Sequence, residues 1–450
     1  MKIQLVYPNP RADGKLHGRR VESSALQLLA ALTPPEHEVS IVGEHLGDEV
    51  AYDDTVDLVG ITAMTLQARR AYEIADEYRR RGKTVVLGGI HASVLPDEAL
   101  QHADAVAIGE AENLWPAIIE DARHRRLKKK YRASELTNLD TLPNYRRDLA
   151  HHRSSFSVHP VQAARGCPYD CSFCSATLFS GRKYRFRPVE NVVAEIRALD
   201  SRVVFFLDDN IFARPEYSRR LFTELRKLDV LWIGQASLHL TASNPALLKL
   251  AQESGCAGLF VGIESLTEEN LRSSNSHSKN RAGTAAAIGD SLRVIHDHGI
   301  VVMAGVIFGF DGDGPDVFER TADFLDEQKV GLASFSALTP FPGTRLRDEM
   351  LAESRITDDD WAHYDACTSV FTPRSMTAAE LQAGTRRAGV NFYSTARILR
   401  RFPTNRHHPL FYLATSFAWR HSCRVENQVP FYMPSRWYGR PADLFSLGAR

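Results

Sequence analysis

At 450 residues, with 44% hydrophobic and 24% charged side chains, the chain is long enough for two or three domains, each with its own core. Its 55 basic and 55 acidic residues cancel, which excludes a global electrostatic pull toward nucleic acid or an anionic membrane. The apolar run at residues 1–8 is too short for a signal peptide, and no later run approaches the ~18 apolar residues of a membrane span. A cytoplasmic protein without an integral membrane segment is expected.

In chain order, residues 3–7, 57–63, 84–89 and 105–110 read as apolar strands, with helical spacing at 22–32 and 66–80. Unbroken apolar strands alternating with helices predict a doubly wound parallel sheet over residues 1–125. Ligands in such a sheet bind beyond the strands' carboxyl ends. That rim carries Tyr7-Pro8-Asn9, Thr62-Ala63-Met64, Gly88-Gly89-Ile90-His91 and Gly109-Glu110. No Gly-x-Gly-x-x-Gly follows the first strand, so a dinucleotide is not indicated.

Residues 126–155 are polar and basic and read as a solvated linker. Over 156–345 strands are expected near 160–165, 202–207, 231–236, 258–263, 301–308 and 332–338, with helices between them, for example from Pro215 to Leu228 and from Gly283 to His298. Six units are too few for a closed eight-stranded barrel, and in a parallel barrel the chemistry gathers at the carboxyl ends of the strands. Residues 346–450 read as a mainly helical extension. Thr377 and Glu380 form a capping box for a helix running toward Phe402, with Arg386, Arg387, Arg397, Arg400 and Arg401 on a solvated face. The aromatic residues Tyr412, Trp419, Tyr432, Trp437 and Tyr438 either cap the barrel mouth or pack against its side.

The strongest chemical signal is Cys167, Cys171 and Cys174, three of six cysteines within eight positions. Gathered thiolates repel one another unless a metal or cluster binds them. A structural zinc site wants four ligands, and a fourth would have to come from Cys256 or a histidine. Three cysteines on one loop leave one iron of a four-iron cluster open to a small molecule. This loop resembles that of the radical S-adenosylmethionine enzymes, residue for residue at the three cysteines, with Phe173 at the aromatic position used beside adenine.

The resemblance implies a partial six-unit barrel with its cofactor contacts at successive strand ends. Asp208 and Asp209 would anchor the ammonium of S-adenosylmethionine, and Glu264 would contact the ribose. Gln235 and His239, where the third strand ends, either face the mouth or are buried hydrogen-bonding residues. The segment Gly305-Val306-Ile307-Phe308-Gly309 would lie against adenine. The front domain resembles the cobalamin-binding-like domain found ahead of many such enzymes, which makes Gly88, Gly89 and His91 candidate cofactor contacts. It lacks the Asp-x-His-x-x-Gly loop that supplies a histidine to cobalt in other cobalamin proteins.

The implied cofactors are a 4Fe–4S cluster and S-adenosylmethionine, with cobalamin a candidate third. The implied partners are a small-molecule biosynthetic substrate and an electron donor such as flavodoxin or ferredoxin. Reductive cleavage of S-adenosylmethionine would yield a 5′-deoxyadenosyl radical that takes a hydrogen atom from a substrate carbon, followed by cobalamin-dependent C-methylation. The alternative is dehydration of a vicinal diol in an aminosugar, or another rearrangement, with His239, Glu264 or Tyr217 as general acid or base. The rival from another class is a non-enzymatic iron–sulfur or zinc protein.

Overall fold

The computed structural model describes residues 1–10, 22–149, 158–199, 201–276 and 284–424. Gly283, Tyr432, Trp437 and Tyr438 lie outside them.

The front domain is one six-stranded parallel sheet made of β1 (Lys2–Tyr7), β2 (Glu38–Gly43), β3 (Leu58–Thr62), β4 (Thr84–Gly88), β5 (Ala105–Ile108) and β6 (Lys130–Arg132). Their order is β2-β1-β3-β4-β5-β6. Val6, Val59, Val85 and Val106 pack against the helices Ala68–Arg80 and Pro96–His102 on one face. Ile3, Leu5, Leu58 and Val86 pack against Ser24–Ala31 and Trp115–Arg123 on the other. The order reverses between β1 and β3, which is where a crevice opens in such sheets. The sequence reading missed β2 and β6. Both are edge strands whose charged residues, Glu38 in one and Lys130 and Arg132 in the other, face solvent. The sheet therefore runs past residue 125, and the stretch expected to be a solvated linker also buries Thr137, Leu139 and Tyr145.

The second sheet takes β7 (His159–Val161), β10 (Val203–Phe206), β11 (Leu231–Ala236), β12 (Cys256–Glu264), β13 (Val301–Phe308) and β14 (Leu332–Ala337), all parallel and in chain order. Among the described residues β7 and β14 do not pair, so the barrel is open. A short antiparallel ribbon, β8 (Ala164–Arg165) with β9 (Arg185–Phe186), frames the cysteine loop. Alternation along the strands sorts the two faces. Phe206, Trp232, Leu259, Val261 and Val302 are buried in the core with the outer helices. Phe205, Ile233, Gln235, Phe260, Met303 and Ile307 alternate with them and are only half-buried, so the inner face is a mostly apolar lumen.

The extension holds the helices Ala378–Phe392, Thr395–Arg401 and Pro409–Arg424. The capping box forms, with Glu380 N–H donating to Thr377 at 3.1 Å and Thr377 N–H to the Glu380 carboxylate at 2.7 Å. The helix breaks at Tyr393, whose hydroxyl bonds both main-chain groups of Ala333 on β14. The expected solvated arginine face needs correction. Arg386 and Arg387 are exposed, but Arg397 pairs with Asp323 and Arg400 with Asp326, both on the barrel helix Val317–Glu327. Arg401 is fully buried, 3.2 Å from Asp326 and 3.6 Å above the Phe392 ring. Breaking such a pair strands the remaining charge. Arg401→Ala is expected to cost about 3 kcal/mol in chemical denaturation, and Arg401→Met, which restores the apolar volume, less. Tyr412 and Trp419 are buried against the barrel's side: Trp419 stacks on Tyr393, and the Tyr412 hydroxyl donates to Ile398.

Among the described residues no helix is long and apolar enough to cross a membrane.

Candidate active site

The cysteine loop leaves the barrel between β8 and β9 and is pinned by main-chain bonds to distant segments. Ser172 N–H donates to Ser274 at 2.9 Å, Leu346 N–H donates to Ser172 at 3.0 Å, and the Asn275 side chain donates to the Asp170 carbonyl at 2.9 Å. Asp170 also pairs with Arg182 at 2.7 Å and Arg345 at 3.4 Å. Gly166 opens the loop at φ +93°, and a Cβ there would lie 2.3 Å from the Lys183 carbonyl oxygen. The ribbon therefore closes only over glycine. Among the described residues no three His, Cys, Asp or Glu side chains converge as a single metal ion would require. A four-iron cluster makes no such demand, because each thiolate takes a different iron.

Asp208, two positions past the end of β10, is buried. Its Oδ2 accepts from Ala163 N–H at 3.1 Å, fixing the stem of the cysteine loop, and its Oδ1 is buried with no hydrogen-bond partner among the described residues. Burial, with the Asp209 charge beside it, pushes the Asp208 carboxyl up to about 7 against the N–H groups of Ala163 and Ala164. Next to it, Asn210 donates to Ser237 at 2.9 Å, and the Tyr184 hydroxyl donates to the Asn210 carbonyl.

Glu264 closes β12 in the left-handed region, φ +65°, at a register shift against β13, and is buried. A non-glycine residue held there is strained, a feature that clusters at working sites. Beyond it, Asn270 bridges Ser265 at 3.1 Å and Asp313 at 2.7 Å, and Asp313 accepts from Gly309 and Phe310 N–H at 2.9 and 3.1 Å. This fixes the turn after β13 and sets the Phe310 ring edge-on to Phe173, 6.1 Å away. The space beside Gly305 is filled by the Phe260 ring and that beside Gly309 by Leu381. Ile307 and Gln235 stand on the inner face, and His239 is half-buried on the helix Leu238–Ala242 after β11. Tyr217 is turned away: its hydroxyl donates to the carbonyls of Arg187 at 2.8 Å and Ala163 at 3.2 Å, and burial raises its pKa well above the usual phenol value.

A second feature lies between the domains, a cavity of about 240 Å³ beside β3, β4 and β5 of the front sheet. Gly60, Thr62, Gly88 and Gly109 line it at the strand ends, Leu26, Leu29 and Trp115 form its apolar wall, and Gln162, Arg165, Phe179 and Ser180 close it from the cysteine-loop side. A Cβ at Gly109 would meet nothing within 4 Å, and one at Gly88 nothing nearer than 3.8 Å. Volume that a side chain would fill has been left open. Its volume lies below the roughly 300–1,000 Å³ of a complete small-molecule pocket.

His91 is not among the lining residues. The helix that begins at Gly89 buries it away from the cavity, where Nε2 lies 3.0 Å from the Tyr72 hydroxyl and 3.4 Å from Glu98, with Trp361 of the extension against its ring. The Trp361 indole N–H donates to the same Glu98 at 2.8 Å.

Sequence reasoning placed Glu110 on the ligand rim but missed the ion pairs through which it joins the two features. Glu110, buried at the end of β5, accepts from both guanidinium nitrogens of Arg185 at 2.8 and 2.5 Å and from Thr137 N–H at 2.8 Å. Arg165 lies 3.4 Å from Glu110 and 2.6 Å from Glu112. Although burial opposes it, the bonds from Arg185, the Arg165 charge and Thr137 N–H hold the Glu110 carboxyl below the usual range.

A doubly wound sheet with an open strand-end cavity, joined to an open parallel barrel with three cysteines on its first loop, defines an α/β scaffold whose cavity is walled in part by residues flanking the cysteine loop. The Radical SAM superfamily model matches residues 161–325, and the B12 binding domain model matches residues 23–119. Bacteriochlorophyllide d C-12(1)-methyltransferase of Chlorobaculum tepidum is 34% identical over 79% of each chain. Bacteriochlorophyllide d C-8(2)-methyltransferase of the same organism is 30% identical over 88% of this chain and 90% of its own. The solved radical S-adenosylmethionine methyltransferase TsrM of Kitasatospora setae shares the fold at 16% identity, with a TM-score of 0.65 over 93% of this chain and 97% of that one. The chain belongs to the radical S-adenosylmethionine methyltransferases that carry a B12-binding domain. Membership implies a 4Fe–4S cluster and S-adenosylmethionine, and the front domain supports cobalamin.

Proposed function

We propose that the protein is a cobalamin-dependent radical C-methyltransferase acting on an unactivated carbon of a flat, largely apolar ring compound of the tetrapyrrole class. One observation carries the reading: the residues that flank the cysteine loop, Gln162, Arg165, Phe179 and Ser180, also wall the front-domain cavity. A ligand held by the front sheet thus abuts the cluster loop. The pigment methyltransferases, alike over most of the chain, favour methyl transfer over diol dehydration, and the apolar lumen favours a ring substrate over an aminosugar.

Cys167, Cys171 and Cys174 would hold the cluster. Asp208, assisted by Asp209, would take the ammonium of S-adenosylmethionine with its unpartnered oxygen, with Phe173 and the turn Ile307 to Gly309 flanking adenine and Glu264 accepting from the ribose. Gly88 and Gly109 would border the nucleotide-like tail of cobalamin. When bound, these groups would supply the hydrogen-abstracting radical and the methyl group. The chain's own work is to orient the substrate and exclude water. We assign Phe205, Phe260 and Met303 to the substrate's apolar faces, and Gln235 and His239 to its polar edge. Tyr217 is assigned to bracing the loop stem, and His91 to seating the extension on the front domain. A one-electron donor such as flavodoxin or ferredoxin completes the reaction.

The test is anaerobic reconstitution with iron, sulfide and hydroxocobalamin, followed by metal analysis after desalting. Cobalt near one per chain beside about four irons is expected. In Gly88→Leu the backbone is already extended, at φ −144°, so the new side chain enters the cavity without strain. Cobalt retention should fall to background while iron stays at the wild-type level. Iron without cobalt in the wild-type chain would overturn the cobalamin reading.

A further inference from the structure

A fork of charge joins the two domains. Arg165 and Arg185 are direct cross-strand partners on the β8–β9 ribbon, so their side chains leave on the same face. One stands just before the cysteine loop and the other just after it. Both reach Glu110, which follows Gly109, and Gly109 borders the front-domain cavity. The Arg165 guanidinium is completed by Glu112 and by Gln162 at 2.7 Å, and that of Arg185 by the Thr137 carbonyl at 2.8 Å. Two carboxylates thus face two guanidiniums, with Glu110 buried and the other three side chains 11–16% exposed. Such a group cannot slide without exposing an unpaired buried charge. The end of β5 and both feet of the cysteine loop must move as one body.

We infer that Glu110, gripped by Arg165 and Arg185, is a positioning residue that couples occupancy of the front-domain cavity to the S-adenosylmethionine site. A ligand seated against Gly109 fixes Glu110, Glu110 fixes the ribbon, and the ribbon fixes the loop whose open iron S-adenosylmethionine must reach. This inference rests on the cobalamin reading above. By linkage the coupling is reciprocal: each ligand changes the other's affinity by the same factor.

The experiment uses the full chain, reconstituted anaerobically, and measures the S-adenosylmethionine Kd by equilibrium dialysis with and without saturating hydroxocobalamin. In the wild-type chain cobalamin should tighten S-adenosylmethionine by roughly 5-fold or more, the lower end of ordinary allosteric coupling. Glu110→Gln should bring that ratio within about 2-fold of unity while keeping its iron, because a neutral amide cannot accept the bidentate grip. Arg185→Lys retains the charge but not the fork and should do the same. It carries the test if Glu110→Gln fails to fold. A wild-type ratio near one, or a ratio that survives in both Glu110→Gln and Arg185→Lys, overturns the coupling alone. Failure of the wild-type chain to bind cobalamin overturns the cobalamin reading and the coupling with it.

Discussion

Replacing Cys167, Cys171 and Cys174 together by alanine is expected to remove all bound iron and all reductive cleavage of S-adenosylmethionine, while the fold survives. The loop's position depends on main-chain bonds from Ser172, Cys174 and Leu346 and on the Asn275 side chain, none of which uses a thiol. Gly166→Ala is the informative companion. It keeps all three cysteines but drives a Cβ to 2.3 Å from the Lys183 carbonyl oxygen at a backbone angle that L-residues resist. The ribbon must open and the thiolates spread. A strain of about 3 kcal/mol, converted to rate, is roughly 100-fold, so turnover should fall by at least that factor with iron well below the wild-type level. Iron analysis and 5′-deoxyadenosine release measure both variants. Iron near four per chain in the triple variant would place the cluster elsewhere. Full iron and full turnover in Gly166→Ala would mean that the β8–β9 ribbon is not what holds the loop.

What could be read in the sequence follows how far apart the interacting residues lie. The strands β3, β4, β5, β11 and β13 are apolar runs because both faces or the outer face are buried, and they were legible almost to the residue. The edge strands β2 and β6 carry charge on their open sides, which erases the apolar run and leaves the look of a loop. The cysteine loop is legible because its chemistry is local, three thiols in eight positions. Asp208 could be read as an acid where an apolar strand stops, but not its grip on Ala163, 45 positions earlier. Glu110 and Arg185 are 75 positions apart in different domains, and no spacing rule joins them. Arg401 was misread for a related reason. Its helix carries several arginines, a pattern that normally means solvent, yet Asp326, 75 positions earlier, takes it into the core. His91 follows a glycine turn on the ligand rim, but only the direction of the helix that starts there shows that it serves Tyr72, Glu98 and Trp361.

Asp208 gives the second large effect, and its sign is set by burial. Its carboxyl titrates at about 7 in the folded chain against an ordinary 3.8, so folding favours the protonated form. For a group raised in this way the stabilising contribution is complete below pH ~4 and is lost as pH climbs toward 7. Each unit in that window is worth about 1.4 kcal/mol. The cofactor-free wild-type chain should therefore lose about 2 kcal/mol between pH 5.5 and 7 relative to Asp208→Asn, whose side chain still accepts from Ala163 and does not titrate. Chemical denaturation of both chains across that range reads the difference, and equal slopes would assign the titration to another group. A bound ammonium reverses the balance, because it stabilises the carboxylate that burial opposes. With a charged hydrogen bond worth about 1.5–3 kcal/mol, Asp208→Asn should weaken S-adenosylmethionine roughly 10- to 100-fold at pH 7.5 with iron unchanged. If instead the Kd is unmoved, the buried oxygen of Asp208 serves the loop stem alone, and the ammonium must be held by Asp209.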